Sequence, residues 1–226
     1  MPKGGRSALV WNMRITLGTL VFVSACAQAP GLAAPAAPAA PAAPANLTRE
    51  RPSIALRHGS PGEKATEEQL GRLFDRYDLT PWLFTRRVLI DEQAIPHSHP
   101  TLTLHTRHIR DDLLLLSTFI HEESHWYLEE HQAAVDAAVV ELHAVAPGLP
   151  IGFPNGAETE TSTYEHLIVI ALEERGVSRL AGELAAHEVM EFWASDHYRA
   201  LYRAVIEKRG DIWRVMHAHG LAAPVE

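Results

Sequence analysis

Residues 121–125 read His-Glu-Glu-Ser-His, an HExxH pattern, and the eight residues before them, Leu113 to Ile120, carry no charge. No other feature restricts the fold as strongly. A stretch that is apolar around its whole circumference predicts a helix buried in a core. Asp111 and Asp112 supply the negative charge favoured at its start. Residues i and i+4 of a helix stand on one face, so His121 and His125 can grip a single metal ion. Two imidazoles and a carboxylate on a buried surface are costly without partners, and a metal ion is the simplest partner. With 14 His among 226 residues, a chance match on a surface helix is the plain alternative. The apolar run ahead of the motif argues against it.

Glu122 would lean beside such a metal, where it can take a proton from water. That grammar resembles the zincin-type metallopeptidases, which implies Zn²⁺ as cofactor, Glu122 as general base and a peptide or protein substrate. A catalytic zinc usually has three protein ligands and one open position. Three residues compete for the third place. His131 has the spacing of the metzincin HExxHxxGxxH signature, but Leu128 stands where the helix-breaking Gly belongs. On an unbroken helix His131 would lie about 15 Å along the axis from His121. Glu165 fits a ligand on a later helix, yet Ser162-Thr163-Tyr164-Glu165 also reads as a capping box. His166 opens a face continued by Val169 and Ile170 and so points inward, where a buried, satisfied His is the plain reading.

Thr118-Phe119-Ile120, Trp126-Tyr127 and Thr163-Tyr164-Glu165-His166-Leu167-Ile168-Val169 together resemble an uncharacterised family of bacterial HExxH proteins with a His-Leu-Ile-Val segment downstream. The resemblance covers about the middle third of the chain and implies that His166 is the third ligand. Amide hydrolysis also needs a donor for the developing oxyanion. Asp196-His197-Tyr198 and Tyr202 are spaced to supply it from His197 or Tyr198; ordinary surface and core residues are the alternative. His97, His99, His105 and His108 form a cluster that reads as a pocket rim, an adventitious metal site or a solvated loop. Trp126, Tyr127 and Trp193 read as core.

At the start, Lys3, Arg6 and Arg14 precede the apolar stretch Ile15 to Val23, too short to span a membrane permanently. Val23-Ser24-Ala25-Cys26 closes it with the only cysteine in the chain. This segment resembles a bacterial lipoprotein signal, which implies a signal peptide at 1–26, lipidation of Cys26, a membrane anchor and a cell-envelope location facing the periplasm or exterior. Met13 serves equally as the start, and cleavage near Ala29 is the alternative. Residues 27–48 are an Ala/Pro-rich linker whose prolines favour an extended spacer, and 49–226 form the metal-dependent domain. A net charge of −8 argues against a nucleic-acid partner.

Within that domain the pattern predicts a helix from Thr66 through Tyr77 and strands at Arg87–Ile90 and Thr101–Thr106. The HExxH helix continues to Val145 with a break near His131. Further helices are expected at Thr163–Glu174 closed by Gly176, Arg179–Lys208 closed by Gly210, and Ile212–His219. The expected class is α+β, mostly helical and zincin-like, with a small sheet before a buried HExxH helix and a helical C-terminal half. By resemblance, Thr101–Thr106 is a candidate edge strand for pairing extended substrate. Two rivals remain. One is a metal-binding lipoprotein without turnover. The other is a di-iron carboxylate bundle, for which the nearest second motif, Glu183-Leu184-Ala185-Ala186-His187, is one residue too long.

Overall fold

The computed structural model describes residues 51–222, which lie within one compact unit. The signal peptide, the linker and the lipidation of Cys26 fall outside the described residues. The fold is α+β and mostly helical. Three parallel strands, β1 (Ser53–Leu56), β2 (Arg87–Ile90) and β3 (Leu102–Leu104), pair in that order. Helix α1 (Pro61–Arg76) connects the first two strands. Then come α2 (Asp112–Glu130), α3 (Gln132–Val145), α4 (Glu160–Ala181), α5 (Glu183–Asp196) and α6 (Arg199–Ala218).

β2 matches its expected bounds and β3 is shorter, while β1 was not anticipated. Helix α1 starts at Pro61 rather than Thr66, because Ser60 caps it by accepting the Glu63 N–H and proline suits the first helical position. The Glu63 carboxylate turns back to accept the amides of His58, Gly59 and Glu92. Leu70, Leu73 and Phe74 are buried as expected.

Asp111 caps α2 through the amides of Leu113 and Leu114. Every residue from Leu114 to Ser124 is buried. Glu123 inside this stretch is satisfied by the peptide N–H groups of Phe84 and Thr85 and by the Thr85 hydroxyl, at 2.8, 2.9 and 3.0 Å. Burial still pushes its pKa up, to about 7, against the pull of those bonds. The carboxylate thereby fixes the HExxH helix to the segment entering β2. At His131 the chain breaks, and α3 begins, as expected.

The second half departs from the expected boundaries. Thr159, not Ser162, caps α4, and the helix passes through Gly176 to end at Gly182, whose φ of 98° suits glycine. Ser162 is therefore inside the helix and the Ser162–Glu165 capping box does not form. The expected single helix at Arg179–Lys208 is divided among α4, α5 and α6, and α6 bends at Lys208 and runs on through Gly210.

Gly176 is a packing residue rather than a stop. A Cβ there would lie 3.0 Å from both Ile120 Cδ1 and Cγ2 and 3.3 Å from Trp82, so the missing side chain lets α4 approach α2. Gly176→Val should lower unfolding stability by about 1–3 kcal/mol through overpacking, read from the urea midpoint.

His108, ending the short 3₁₀ turn Thr106–His108, packs edge-on against Phe192 and Trp193 at 6.0 and 5.3 Å. Burial, helped by the neighbouring Arg107 charge, depresses its pKa from 6.5 to about 4. The folded protein thus resists a proton that the unfolded chain accepts. Stability is full above about pH 6.5 and falls as the pH drops toward 4. Thermal melts across this range should show that slope shallower in His108→Phe.

Candidate metal centre

Helices α2 and α4 bring three imidazoles together. His121, His125 and His166 each offer a ring nitrogen, and these atoms lie within 4.8 Å of one another. Ring centroids are 5.2 Å apart for His121–His125, 5.7 Å for His121–His166 and 4.9 Å for His125–His166. His121 and His166 are buried, and His125 is partly so.

Two of the rings are oriented by bonds on the far side. His121 Nδ1 donates to Glu173 Oε2 at 2.9 Å, and His166 Nδ1 donates to the Ser162 carbonyl at 2.6 Å. Both tautomers leave Nε2 with its lone pair free. Burial depresses His125 well below 6.5 and His166 to about 3, with the His121 charge adding in the same direction. Burial also pulls His121 down, but the bond to Glu173 and its charge more than offset this and raise it. Glu122, between His121 and His125 in the chain, is pushed up to about 7 by burial against the pull of His121 and His97.

Glu173 ties four helices together. It accepts the Ser117 hydroxyl on one oxygen, and His121 Nδ1–H and the Tyr202 hydroxyl on the other, the last at 2.9 Å. Trp193 Nε1–H in turn donates to Ser117 Oγ at 2.8 Å. A carboxylate behind a metal-facing imidazole fixes the tautomer and raises ligand basicity. Sequence reasoning missed Glu173, although it stands seven residues after His166, two turns along the same helix face, in an otherwise apolar run. Ser117 carries the matching signal four residues before His121. Glu173→Gln should cut zinc affinity by about 10–100-fold, measured by competition with a chromophoric chelator.

The other expected residues are placed as follows. His197 and Tyr198 lie by the cluster. Tyr198 stands 4.6 Å from the His166 ring and parallel to His121 at 6.5 Å. Its φ of 47° is the only positive value for a non-glycine among the described residues, and such backbone strain gathers at functional sites. Burial, with the nearby Glu122 and Glu158 charges, raises its pKa and keeps the hydroxyl protonated. The loop 150–157 braces this position: Pro154 and Asn155 carbonyls accept the amides of Arg199 and Ala200 at 3.0 and 3.1 Å. Gly156 makes the loop possible, since a Cβ there would sit 1.7 Å from the Pro150 oxygen. His197 Nδ1 pairs with Asp196 at 3.0 Å, and Asp196 is held by both arms of Arg107, which pull its pKa down to about 2.

His131 and Glu165 are not in the cluster. His131 Nδ1 donates to the Tyr127 carbonyl at 2.8 Å, and Glu165 is hydrogen-bonded by Gln132 of α3. Glu183 is engaged by Ser178 and Arg209, and among the described residues it is not grouped with the α2 histidines. The four histidines ahead of α2 have separate places: His97 bridges Thr103 of β3, His99 stacks on Trp126 at 4.0 Å and pairs with Glu129, His105 caps the 3₁₀ turn, and His108 packs on α5. A second grouping, His58, Glu63 and Asp91, is built on the backbone-bonded Glu63.

All three converging donors are imidazole nitrogens, a donor set that suits zinc among other transition metals. Comparison with protein-family models, curated proteins and solved structures gives no match in any of the three.

Proposed function

We propose that the chain is a zinc-dependent hydrolase of the zincin type, a metallopeptidase, resembling the bacterial HExxH proteins with a downstream His-Leu-Ile-Val segment. The observation that carries this is the meeting of His121, His125 and His166, with the buried Glu122 next to His121 in the chain. His121, His125 and His166 would hold the ion. Bound there, zinc supplies Lewis acidity, lowering the pKa of water to about 7 and polarising a carbonyl.

The remaining work belongs to the protein. Glu122, with its pKa lifted to about 7, takes a proton from water as the oxygen attacks the carbonyl carbon, and returns it to the amine as the C–N bond breaks. Tyr198 keeps its proton and stands beside His166, suited to donate to the developing oxyanion; His197, oriented by Asp196, is the second candidate. Glu173 holds His121 in the tautomer that frees Nε2. The lipid anchor at Cys26 and the Ala/Pro spacer would hold this domain at a membrane of the bacterial cell envelope, facing the periplasm or exterior.

The test is metal analysis of the purified protein together with a peptide-hydrolysis assay. One zinc per chain, with cleavage abolished by a chelator and restored by added zinc, supports the reading. A chain that takes up no zinc sinks it.

A further inference from the structure

The sheet edge beside the HExxH helix is closed. β3 is the outer strand, and Thr103 at its middle turns its N–H and C=O away from β2. Both are taken by His97 in a one-residue antiparallel bridge, at 2.8 and 3.1 Å. The next outward acceptor, the Thr101 carbonyl, receives the Thr103 hydroxyl at 2.9 Å. His105, the next outward residue, already leads into the 3₁₀ turn.

The segment that covers the edge offers little in its place. Pro96 and Ser98 flank His97 and alternate outward. Pro96 has no N–H, and the Ser98 carbonyl accepts Trp126 Nε1–H at 3.1 Å. The Ile95 carbonyl is used by His97 Nδ1 at 2.8 Å. What remains outward is one acceptor, the Pro96 carbonyl, and one donor, the Ser98 N–H. Such a pair can hold a single residue by its main chain, whereas an added strand needs a ladder of them. This segment borders the reaction centre: Trp126, which follows His125, bonds the Ser98 carbonyl and stacks on His99 at 4.0 Å.

Exposed apolar side chains stand on two segments near the centre. Ile95, two residues from His97, is 83% exposed, and Phe153, in the loop that braces Tyr198, is 80% exposed. We infer that the centre takes short peptides, gripped at one residue and by apolar side chains flanking the scissile bond, and not long extended polypeptides. This rests on the hydrolase reading, but its test separates from it.

The zinc-loaded full chain would be assayed with blocked peptides of two, four, six and eight residues around a Phe-Leu pair, and the Thr103 amide followed by hydrogen exchange. A kcat/KM that varies less than about threefold with length, at least tenfold higher for Phe-Leu than for Asp-Lys, with Thr103 protected before and after peptide is added, supports the inference. A tenfold or greater rise with length overturns it, as does a Thr103 amide that exchanges freely until an eight-residue peptide is present. If no peptide of any length is cleaved, the hydrolase reading fails, and Thr103 exchange in the free protein still decides whether the edge is closed.

Discussion

Glu122→Gln should lower peptide hydrolysis by about 10²–10⁴-fold, the range for loss of a general base, while zinc stoichiometry stays at the parent value. The amide keeps the shape of the carboxylate but cannot take a proton from water. Glu122 is not in the His121–His125–His166 grouping, so its loss should leave the proposed site for the ion intact. The same exchange should raise the stability of the metal-free protein. Burial lifts the Glu122 pKa from 4.5 to about 7, so ionising it costs the folded state more than the unfolded one. That penalty is absent below pH 4.5 and grows as the pH rises toward 7. Metal-free Glu122→Gln should therefore melt above the metal-free parent near neutrality and converge with it in acid. Assay, metal analysis and paired melts check all three parts; a variant that loses zinc along with activity would assign Glu122 to the ligand set instead.

His166→Ala should weaken zinc binding by more than about 10²-fold, beyond the 10–100-fold typical of losing an outer partner, and activity should fall with occupancy. His131→Ala and Glu165→Ala are the controls. Neither side chain is in the cluster, since His131 bonds the Tyr127 carbonyl and Glu165 is bonded by Gln132, so both should retain parent affinity. Competition titrations against a chelator of known zinc affinity read all three variants on one scale. Equal losses in His166→Ala and Glu165→Ala would break the assignment.

What the sequence made legible was local. An apolar run against HExxH predicts a buried helix, and Asp111 caps it. The β2 pattern gives its bounds, and the inward direction of His166 follows from its spacing to Val169 and Ile170. What it hid depends on contacts between distant segments. Gly176 carries the usual mark of a helix end, yet it serves the approach to Ile120, which no local pattern encodes. The stop at Gly182 is equally ordinary in sequence. β1 is four residues long and gains its strand character from pairing with β2. Glu173 looked like any acidic residue late in a helix until Ser117, Tyr202 and His121 closed around it, and Arg107 reaches Asp196 across 89 positions.

The contacts of Glu173 also bear on when the protein becomes competent. Its partners come from α2 and α6, and Trp193 of α5 reaches it through Ser117. In a chain whose C-terminal helices have not docked, His121 lacks the acceptor that sets its tautomer, and His166 has no fixed position opposite it. On the proposed metal-centre reading, high-affinity capture would wait on the docking of α4 against α2, since both Glu173 and His166 are carried by α4. Uptake of zinc should then follow that docking in refolding, so that the ion loads onto finished molecules and passes over unfinished ones.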